Sequence, residues 1–506
     1  MIKFIMYSLC TAIFIAVLIA ISLPNFIGAQ DRSKASSRRA QLYNYSPKYT
    51  EVPRESYQAI EESPFATPQK QPLSSFALDV DTASYSNMRR FLDAGQWPPK
   101  DAIRTEELIN YFPYQYPAPQ GSSPLAWTTE LSECPWNPQH QLLHLGLQAP
   151  QIAAEAMPPS NLVFLLDVSG SMSDENKLPL LKRSLALLIK SLRAQDRVSI
   201  VVYAGAAGVV LGPTAGNQKE QIQTALDRLE AGGSTAGGEG IEKAYDLAYQ
   251  QFIPKGNNRV ILATDGDFNV GLSSDQEMVT LIEEKRQKGI FLTVLGFGMG
   301  NYKDSKLELL ANKGNGNYAY IDNLNEARKV LVNQMAGTLL TVAQDVKLQV
   351  AFNPQKVASY RLIGYENRVM PDKDFANDQK DAGEIGAGQT MTALYEIVPT
   401  ASQASTDPQE LFKISLRFKT PGQSQSQLLE EAVFCQWQPL AQTSDNFRLA
   451  AGVAGFGLLL RESPYKGLAN FEQLKSLVKS ALGTDPEGYK SELLNLIDQA
   501  SQTKRS

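Results

Sequence analysis

A carboxylate and two hydroxyls stand at alternate positions directly after an apolar run of the chain. Residues 162–166 are continuously apolar, and Asp167, Ser169 and Ser171 follow them within five positions. Oxygen ligands favour a hard divalent cation, and a site with few carboxylates suits magnesium, which keeps several of its waters. The spacing therefore predicts a magnesium site. The alternative is that Asp167 and the serines only cap the following helix, because Ser and Asp are preferred caps.

Two later segments carry further oxygen ligands for the same site. Thr235 lies in the glycine-rich sequence GGSTAGGEG, and Asp265 follows the apolar run of NRVILATDG. Glycines allow a backbone to approach a ligand closely. Taken alone, Thr235 is compatible with an ordinary turn and Asp265 with a turn-initiating carboxylate. Together with the first three residues they predict a site of five side chains from three loops.

The segments around these residues have the pattern of an α/β domain. Six strand-like apolar runs alternate with helix-like stretches between residues 159 and 340, and the last stretch, 326–340, is expected to be one closing helix. Such alternation predicts a doubly wound, mainly parallel six-stranded sheet. Because ligands of open α/β sheets bind beyond the carboxyl ends of the strands, Asp167 and Asp265 are expected at the same edge.

The rest of the chain divides into regions of different pattern. Strand-like runs on both sides of the α/β region predict a β-sandwich that the α/β domain interrupts in sequence, and a helical domain follows. Before the α/β domain we expect a signal peptide or N-terminal membrane anchor at 1–29, a disordered linker at 30–72, an N-terminal extension with two short helices at 73–124 and the first part of the β-sandwich at 125–158. The α/β domain at 159–340 precedes the second part of the β-sandwich at 341–440 and a C-terminal helical domain at 441–506.

The N-terminal segment predicts export from the cytoplasm. Lys3 precedes the apolar residues 4–23, and the small residues Gly28 and Ala29 follow. This arrangement is typical of a secretory signal or of an uncleaved membrane anchor. Both interpretations place the rest of the chain outside the cytoplasm, either tethered to the membrane or in the periplasm.

Two cysteines remain beyond that segment. Cys134 and Cys435 lie in the similar contexts ECPW and FCQW. An even pair in an oxidising compartment favours a disulfide. Two separate buried thiols are the alternative, because the sequence gives no geometry for the pair.

The motif formed by Asp167-x-Ser169-x-Ser171, with Thr235 and Asp265, resembles the metal-ion-dependent adhesion site of von Willebrand factor type A domains. The resemblance covers about residues 159–340. It implies that these hydroxyls and aspartates hold magnesium, with manganese or calcium as substitutes, either directly or through water. It also implies an open position for an exposed Asp or Glu of a protein partner, and a shift of the last helix on binding. The implied protein is a non-enzymatic adhesion or scaffold protein.

The flanks of the α/β region are similar to one bacterial family of such proteins. The similarity lies in FALDVDTASY before the domain and FRLAAGVAGFGLLLRESPYKG after it. The resemblance assigns no activity to the C-terminal region.

Other functions are compatible with parts of the sequence. FALDVDT has the DxDxT pattern of an aspartate-nucleophile phosphatase, with Asp79 as nucleophile and Asp81 as acid and base. A magnesium-dependent hydrolase and a structural envelope protein are further alternatives. His140 and His144 have the spacing of a zinc-protease helix, but Gln141 replaces the catalytic glutamate and the pattern there is strand-like. The net charge of −5 gives no indication of a nucleic-acid partner.

Overall fold

Among the described residues, three strands and two α-helices precede the α/β part of the chain. The computed structural model describes residues 55–504, except 79, 122, 234–237, 267–274, 301, 401–409 and 435. Gly95 has a left-handed backbone with φ of 66°, which ends the first helix. The elements are β1 (Leu73–Ala77), α1 (Ala83–Asp93), α2 (Thr105–Asn110), β2 (Ala126–Cys134) and β3 (Asn137–Gln148).

The α/β part alternates strands and helices. Its elements are β4 (Ser160–Asp167), α3 (Leu178–Ser191), β5 (Arg197–Tyr203), β6 (Ala207–Ala215), α4 (Lys219–Asp227), α5 (Gly238–Gln250), β7 (Asn257–Thr264), α6 (Asp275–Gln287), β8 (Ile290–Phe297), α7 (Asp304–Lys313), β9 (Tyr318–Ile321), α8 (Leu324–Arg328) and α9 (Met335–Leu339). The strands form a six-stranded sheet with the order β6-β5-β4-β7-β8-β9. All neighbouring strands are parallel except β6, which is antiparallel to β5. This confirms the predicted doubly wound, mainly parallel sheet.

The central strand β4 is buried along its whole length, which explains its continuous apolar run. Side chains of a strand point alternately to the two faces of the sheet. Leu162, Phe164 and Leu166 pack on one face with residues of α3 and α4. Val163 and Leu165 pack on the other face with residues of α5, α6 and α7. Helices thus cover both faces, and this fixes the end of β4 rigidly.

Residues 326–340 were expected to form one closing helix, but three short helical pieces take its place. Helices α8 and α9 flank a π-helical turn at Lys329–Asn333. A π turn holds one more residue than an α turn, so it changes the direction of the side chains beyond it. The ammonium of Lys329 at its start is buried and lies 3.3 Å from the ring centre of Tyr111 in the segment after α2. The closing helix is therefore interrupted at the point where Lys329 packs against the N-terminal helical region.

A buried ionic cluster joins the end of the α/β part to helices on both sides of it. Arg89 of α1 contacts the carboxylates of Asp322 at 2.5 Å, Glu326 at 2.8 Å and Glu492 at 2.8 Å. Asp322 and Glu326 belong to the segment that follows β9, and Glu492 belongs to the last helix of the chain. We call these four residues the Arg89 cluster.

The β-sandwich is built from strands on both sides of the α/β part. The elements after the α/β part are β10 (Thr341–Phe352), β11 (Val357–Ile363), α10 (Asp372–Phe375), β12 (Gly383–Gly386), β13 (Thr390–Pro399), β14 (Phe412–Lys419) and β15 (Gln427–Val433). One sheet has the order β1-β10-β14-β15, with β12 also paired to β10, and the other has the order β11-β13-β3-β2. Both sheets contribute to one apolar core, which confirms the predicted sandwich with an inserted α/β domain.

The C-terminal helices share their core with the N-terminal helices. The core contains Tyr85 and Met88 of α1, Leu108 of α2, and Phe447 and Leu493 from the C-terminal part. Chain segments more than three hundred residues apart therefore fold against each other. Within the described residues no helix has both the length and the apolar character to cross a membrane. The last helices are α11 (Asp445–Leu460), α12 (Phe471–Ser480) and α13 (Tyr489–Thr503).

Candidate metal centre

The carboxyl end of β4 brings three of the predicted ligands together. Asp167 is the last residue of β4, and its Oδ1 accepts a hydrogen bond of 2.9 Å from the backbone N–H of Ser169. Ser171 lies in a short 3₁₀ turn, and its hydroxyl is 3.0 Å from the hydroxyl of Ser169. Asp167 and Ser169 are buried, whereas Ser171 is exposed. The group therefore extends from a buried floor to the protein surface.

Asp265 reaches the same edge from the neighbouring strand. β7 lies beside β4 with Ala263 opposite Leu166, and Asp265 follows the end of β7. The hydroxyl of Thr264 donates to Asp167 Oδ2 at 3.1 Å. The parallel register thus brings together four of the five predicted ligands, as the strand-end argument predicts.

Thr235 lies outside the described residues, and its part in the site stays a prediction. The described residues before it do contact the loop after β4. The N–H of Gly170 donates to the carbonyl of Gly233 at 3.0 Å, and the N–H of Gly232 donates to the carbonyl of Val168 at 2.8 Å. Gly233 has a left-handed φ of 81°, which glycine adopts readily.

Burial controls the electrostatics of Asp167. Removal from solvent raises the pKa of its carboxyl, and the nearby negative charge of Asp265 raises the pKa further. Hydrogen bonds from Ser169 and Thr264 lower the pKa in part, and the hydroxyl of Tyr203 also donates to Oδ2 at 3.2 Å. A bound cation would stabilise the charged form of a buried carboxylate that lies beside a second carboxylate, because it neutralises both charges.

The donors fit a magnesium ion in chemistry and in spacing. They are carboxylate and hydroxyl oxygens, which hard cations prefer. Neighbouring ligands of an octahedral ion with bonds of 2.0–2.1 Å lie about 2.8–3.0 Å apart, and the hydrogen-bonded hydroxyls of Ser169 and Ser171 are 3.0 Å apart. In the part of the chain that the structure describes, no three His, Cys, Asp or Glu side chains form a metal-binding group.

Three residues that sequence reasoning did not single out also belong to the site. Tyr203 and Thr264 hold Asp167, as described above, and the ammonium of Lys177 lies 3.0 Å from Asp265 Oδ2. Tyr203 and Thr264 end strands β5 and β7 beside β4, so their positions follow from the sheet order. No sequence signal indicated Lys177, because it precedes α3 as an ordinary charged residue.

The phosphatase motif does not form a described catalytic pair. Asp79 lies outside the described residues. Asp81 is buried, and its Oδ1 accepts a hydrogen bond of 2.9 Å from the backbone N–H of Tyr318 at the start of β9. Arg368 lies 3.7 Å from its other oxygen. These contacts give Asp81 a structural part in joining the N-terminal extension to the sheet edge.

The two histidines lie on strand β3 and not on a helix. His140 contacts Glu396 with a separation of 2.6 Å between Nδ1 and Oε1. His144 is fully buried, and its Nε2 lies 2.9 Å from the hydroxyl of Tyr116. The separate partners agree with the strand-like pattern and not with the zinc-protease pattern.

His144→Gln is expected to reduce the loss of unfolding free energy that occurs as the pH falls. Burial lowers the pKa of His144 to about 3, whereas an imidazole in an unfolded chain has a pKa of about 6.5. Because only the unfolded state then binds the proton, stability is lost as the pH falls from about 6.5 toward 3. Over that range the wild type should lose about 1.4 kcal/mol more per pH unit than His144→Gln. Urea unfolding at several pH values measures both slopes, and parallel slopes would contradict the prediction.

Cys134 is buried and is not bonded to any cysteine that the structure describes. Burial raises the pKa of this thiol, and the charge of Glu396 raises it further. Its predicted partner, Cys435, lies outside the described residues. The disulfide therefore stays a prediction.

The sheet and the residues at its edge define the class of protein. Residues 161–334 match the family model of the von Willebrand factor type A domain, and this segment contains all five predicted ligands. Residues 51–144 match a model described as von Willebrand factor. Residues 337–503 match a model described as Uncharacterized protein YfbK, C-terminal. The resemblance predicted from the Asp-x-Ser-x-Ser motif and from the flanks is confirmed.

Comparison with whole proteins gives the family. The chain is 42% identical over 466 residues to Uncharacterized protein YfbK of Escherichia coli (strain K12), which covers 88% of this chain and 80% of the relative. The chain belongs to the YfbK family. Inter alpha-trypsin inhibitor, heavy chain 4, of Mus musculus is 28% identical over 181 residues, which cover 34% of this chain and 19% of that protein. A solved structure, von Willebrand factor type A from Catenulispora acidiphila, has a TM-score of 0.41 at 16% identity, covering 72% of this chain and 88% of that one.

Proposed function

We propose that this protein is a metal-dependent binding protein whose type A domain captures an acidic side chain of a protein partner through bound magnesium. One observation carries the proposal. Two carboxylates and two hydroxyls meet at the edge of the sheet, and the group opens to solvent at Ser171. A partner can therefore reach the centre without any rearrangement of the buried floor.

The donor set explains why the partner group should be acidic. When bound, magnesium supplies a centre that attracts oxygen ligands. Asp167 and Asp265 are the described carboxylates of the site, and the remaining described donors, Ser169 and Ser171, are neutral. A hard cation held partly by neutral donors binds a further carboxylate oxygen favourably. An exposed Asp or Glu of a protein is the group that offers one.

In our proposal the protein binds a partner and does not act as an enzyme. The sequence contains two histidines, His140 and His144, and neither belongs to the type A domain. Around Asp167 the described groups are hydroxyls, a carboxylate and a lysine that is already paired with Asp265. None of these is a general base placed for attack on a substrate. The family match to von Willebrand factor type A domains agrees with a role in protein interaction.

We also propose that the protein acts outside the cytoplasm, tethered to the membrane or in the periplasm. The support is the apolar sequence 4–23 with its small-residue end at Gly28 and Ala29. This segment lies outside the described residues. A tether would present the type A domain to partners in the cell envelope.

Chemical crosslinking in intact cells tests the capture of a partner. We expect crosslinked proteins that disappear when a chelator is added and return when Mg²⁺ is restored. They should also disappear in the double variant Ser169→Ala/Ser171→Ala, because it removes both hydroxyl donors. Ser173→Ala, which changes an exposed serine of the same loop, is the matched control and should keep the crosslinks. Recovery of the same partners in chelator as in Mg²⁺ would refute the proposal.

A further inference from the structure

A lysine lies inside the candidate metal centre. Lys177 is 6% exposed, although a lysine is rarely buried unless it is paired. Its ammonium lies 3.0 Å from Asp265 Oδ2 and donates to the carbonyl of Ser171 at 2.9 Å. It also lies 3.7 Å from the exposed carboxylate of Asp174. One cation thus contacts both the loop after β4 and Asp265 at the end of β7.

The fold makes room for this side chain. Gly298 follows the end of β8 and has a left-handed φ of 75°. A Cβ atom at this position would lie 2.4 Å from Cε of Lys177 and 2.7 Å from its Cγ. Any larger residue would therefore collide with the aliphatic part of the lysine. The ammonium reaches Asp265 through a passage that a glycine keeps open, so its position is defined by packing as well as by charge.

We propose that Lys177 is a built-in counter-ion that pairs with Asp265 and thereby sets the charge of the metal centre. This inference rests on the proposed metal site. Two carboxylates and a magnesium ion alone would give a centre with no net charge. Among the buried groups, the magnesium ion, the ammonium and the two carboxylates together carry one positive charge, and the exposed Asp174 is outside this count. That charge is the property that favours a carboxylate of a partner over a neutral ligand.

Two consequences follow for the metal. The ammonium repels a divalent cation and competes with it for Asp265, so Lys177 lowers the affinity for magnesium. It also stabilises the centre before metal is bound, because it keeps the buried Asp265 paired. Lys177 thus lowers the affinity for magnesium and raises the stability of the metal-free protein. A variant without the ammonium should change both quantities in the opposite direction.

Lys177→Met tests the inference, because methionine keeps the apolar length of the side chain and removes the charge. Without Mg²⁺ the variant should melt at a lower temperature than the wild type. Its dissociation constant for Mg²⁺, measured by isothermal titration calorimetry, should fall on the order of tenfold or more. The rise in melting temperature on addition of Mg²⁺ should therefore be larger than in the wild type. Lys190→Met, which removes an exposed lysine of α3 with the same change in net charge, should leave both quantities unchanged.

The same measurements can contradict the proposed role of Lys177. An unchanged or weaker Mg²⁺ affinity in Lys177→Met, with the same loss of melting temperature in the presence and absence of Mg²⁺, would show a purely structural lysine and overturn the inference. Lys177→Gln, which keeps a polar group near the Ser171 carbonyl, gives the same measurement if the methionine variant does not fold. The probe is Mg²⁺ alone. Tighter Mg²⁺ binding by the variant, together with an absence of chelator-sensitive crosslinks in cells, would therefore refute partner capture and leave the role of Lys177 standing.

Discussion

Asp167→Ala is expected to raise the dissociation constant for Mg²⁺ by about a hundredfold or more, a loss of about 2.8 kcal/mol in binding free energy. Asp167 is the fully buried carboxylate at the end of β4, and Asp265 is already paired with Lys177. Removal of Asp167 leaves the cation without its central negative charge. Isothermal titration calorimetry with Mg²⁺ measures the effect directly.

The fold should survive this substitution. The hydroxyls of Tyr203 and Thr264 lose an acceptor, which costs about 1–3 kcal/mol for a buried polar group. The loss is partly offset, because burial and the charge of Asp265 already raise the pKa of Asp167 and make its charged form unfavourable without metal. Glu175→Ala is the matched control, since Glu175 is an exposed carboxylate of the same loop. Equal Mg²⁺ affinities of Asp167→Ala and the wild type would show that Asp167 is not a magnesium ligand.

Arg89→Met is expected to lower the free energy of unfolding by about 3–5 kcal/mol. Arg89 is 2% exposed and contacts the carboxylates of Asp322, Glu326 and Glu492. Without its guanidinium, Asp322 and Glu326 remain buried next to each other, and removing one partner from a buried ionic group costs more than the group itself contributes. The pKa of Asp322 is already raised to about 6 by its burial, despite the positive charge of Arg89.

Urea unfolding at neutral pH measures this loss. Arg183→Met, at an exposed arginine of α3, is the control and should stay within about 0.5 kcal/mol of the wild type. A similarly small effect of Arg89→Met would mean that the Arg89 cluster is not important for stability.

The Arg89 cluster also bears on how the type A domain could respond to a partner. The resemblance implies a shift of the last helix, and Asp322 and Glu326 stand at the beginning of that segment. Through Arg89 they are tied to α1 and, through Glu492, to α13. Any shift of this segment would have to move or break these contacts. The flanking helices are therefore placed to resist such a shift.

The meeting of four predicted ligands at one sheet edge was predictable, because these residues follow strands whose type can be recognised locally. The run before Asp167 is apolar at every position, and the structure explains this by helices on both faces of β4. Alternation of strands and helices then predicted a parallel sheet, and parallel strands place their carboxyl ends at one edge. Asp167 and Asp265 consequently meet although nearly a hundred residues separate them.

The break in the last helix could not be predicted in this way. Residues 326–340 have a helical pattern, yet a π turn begins at Lys329, whose ammonium packs on Tyr111. Tyr111 lies more than two hundred residues earlier in the chain. Sequence periodicity reports only local preferences, so it contains no information about a contact of this range.

By itself, the sequence determined the class of fold and the order of sandwich, α/β domain and helices. It also determined that four predicted ligands lie at one sheet edge. Each of these depends on local pattern and strand direction. Only the tertiary structure decided that Lys177 enters the centre past Gly298, that Arg89 joins three carboxylates, and that helices from both ends of the chain share one core. The physical reason is that these contacts connect charges and apolar surfaces that are distant in sequence. Their partners are selected by burial in the folded chain, where an unpaired charge is costly.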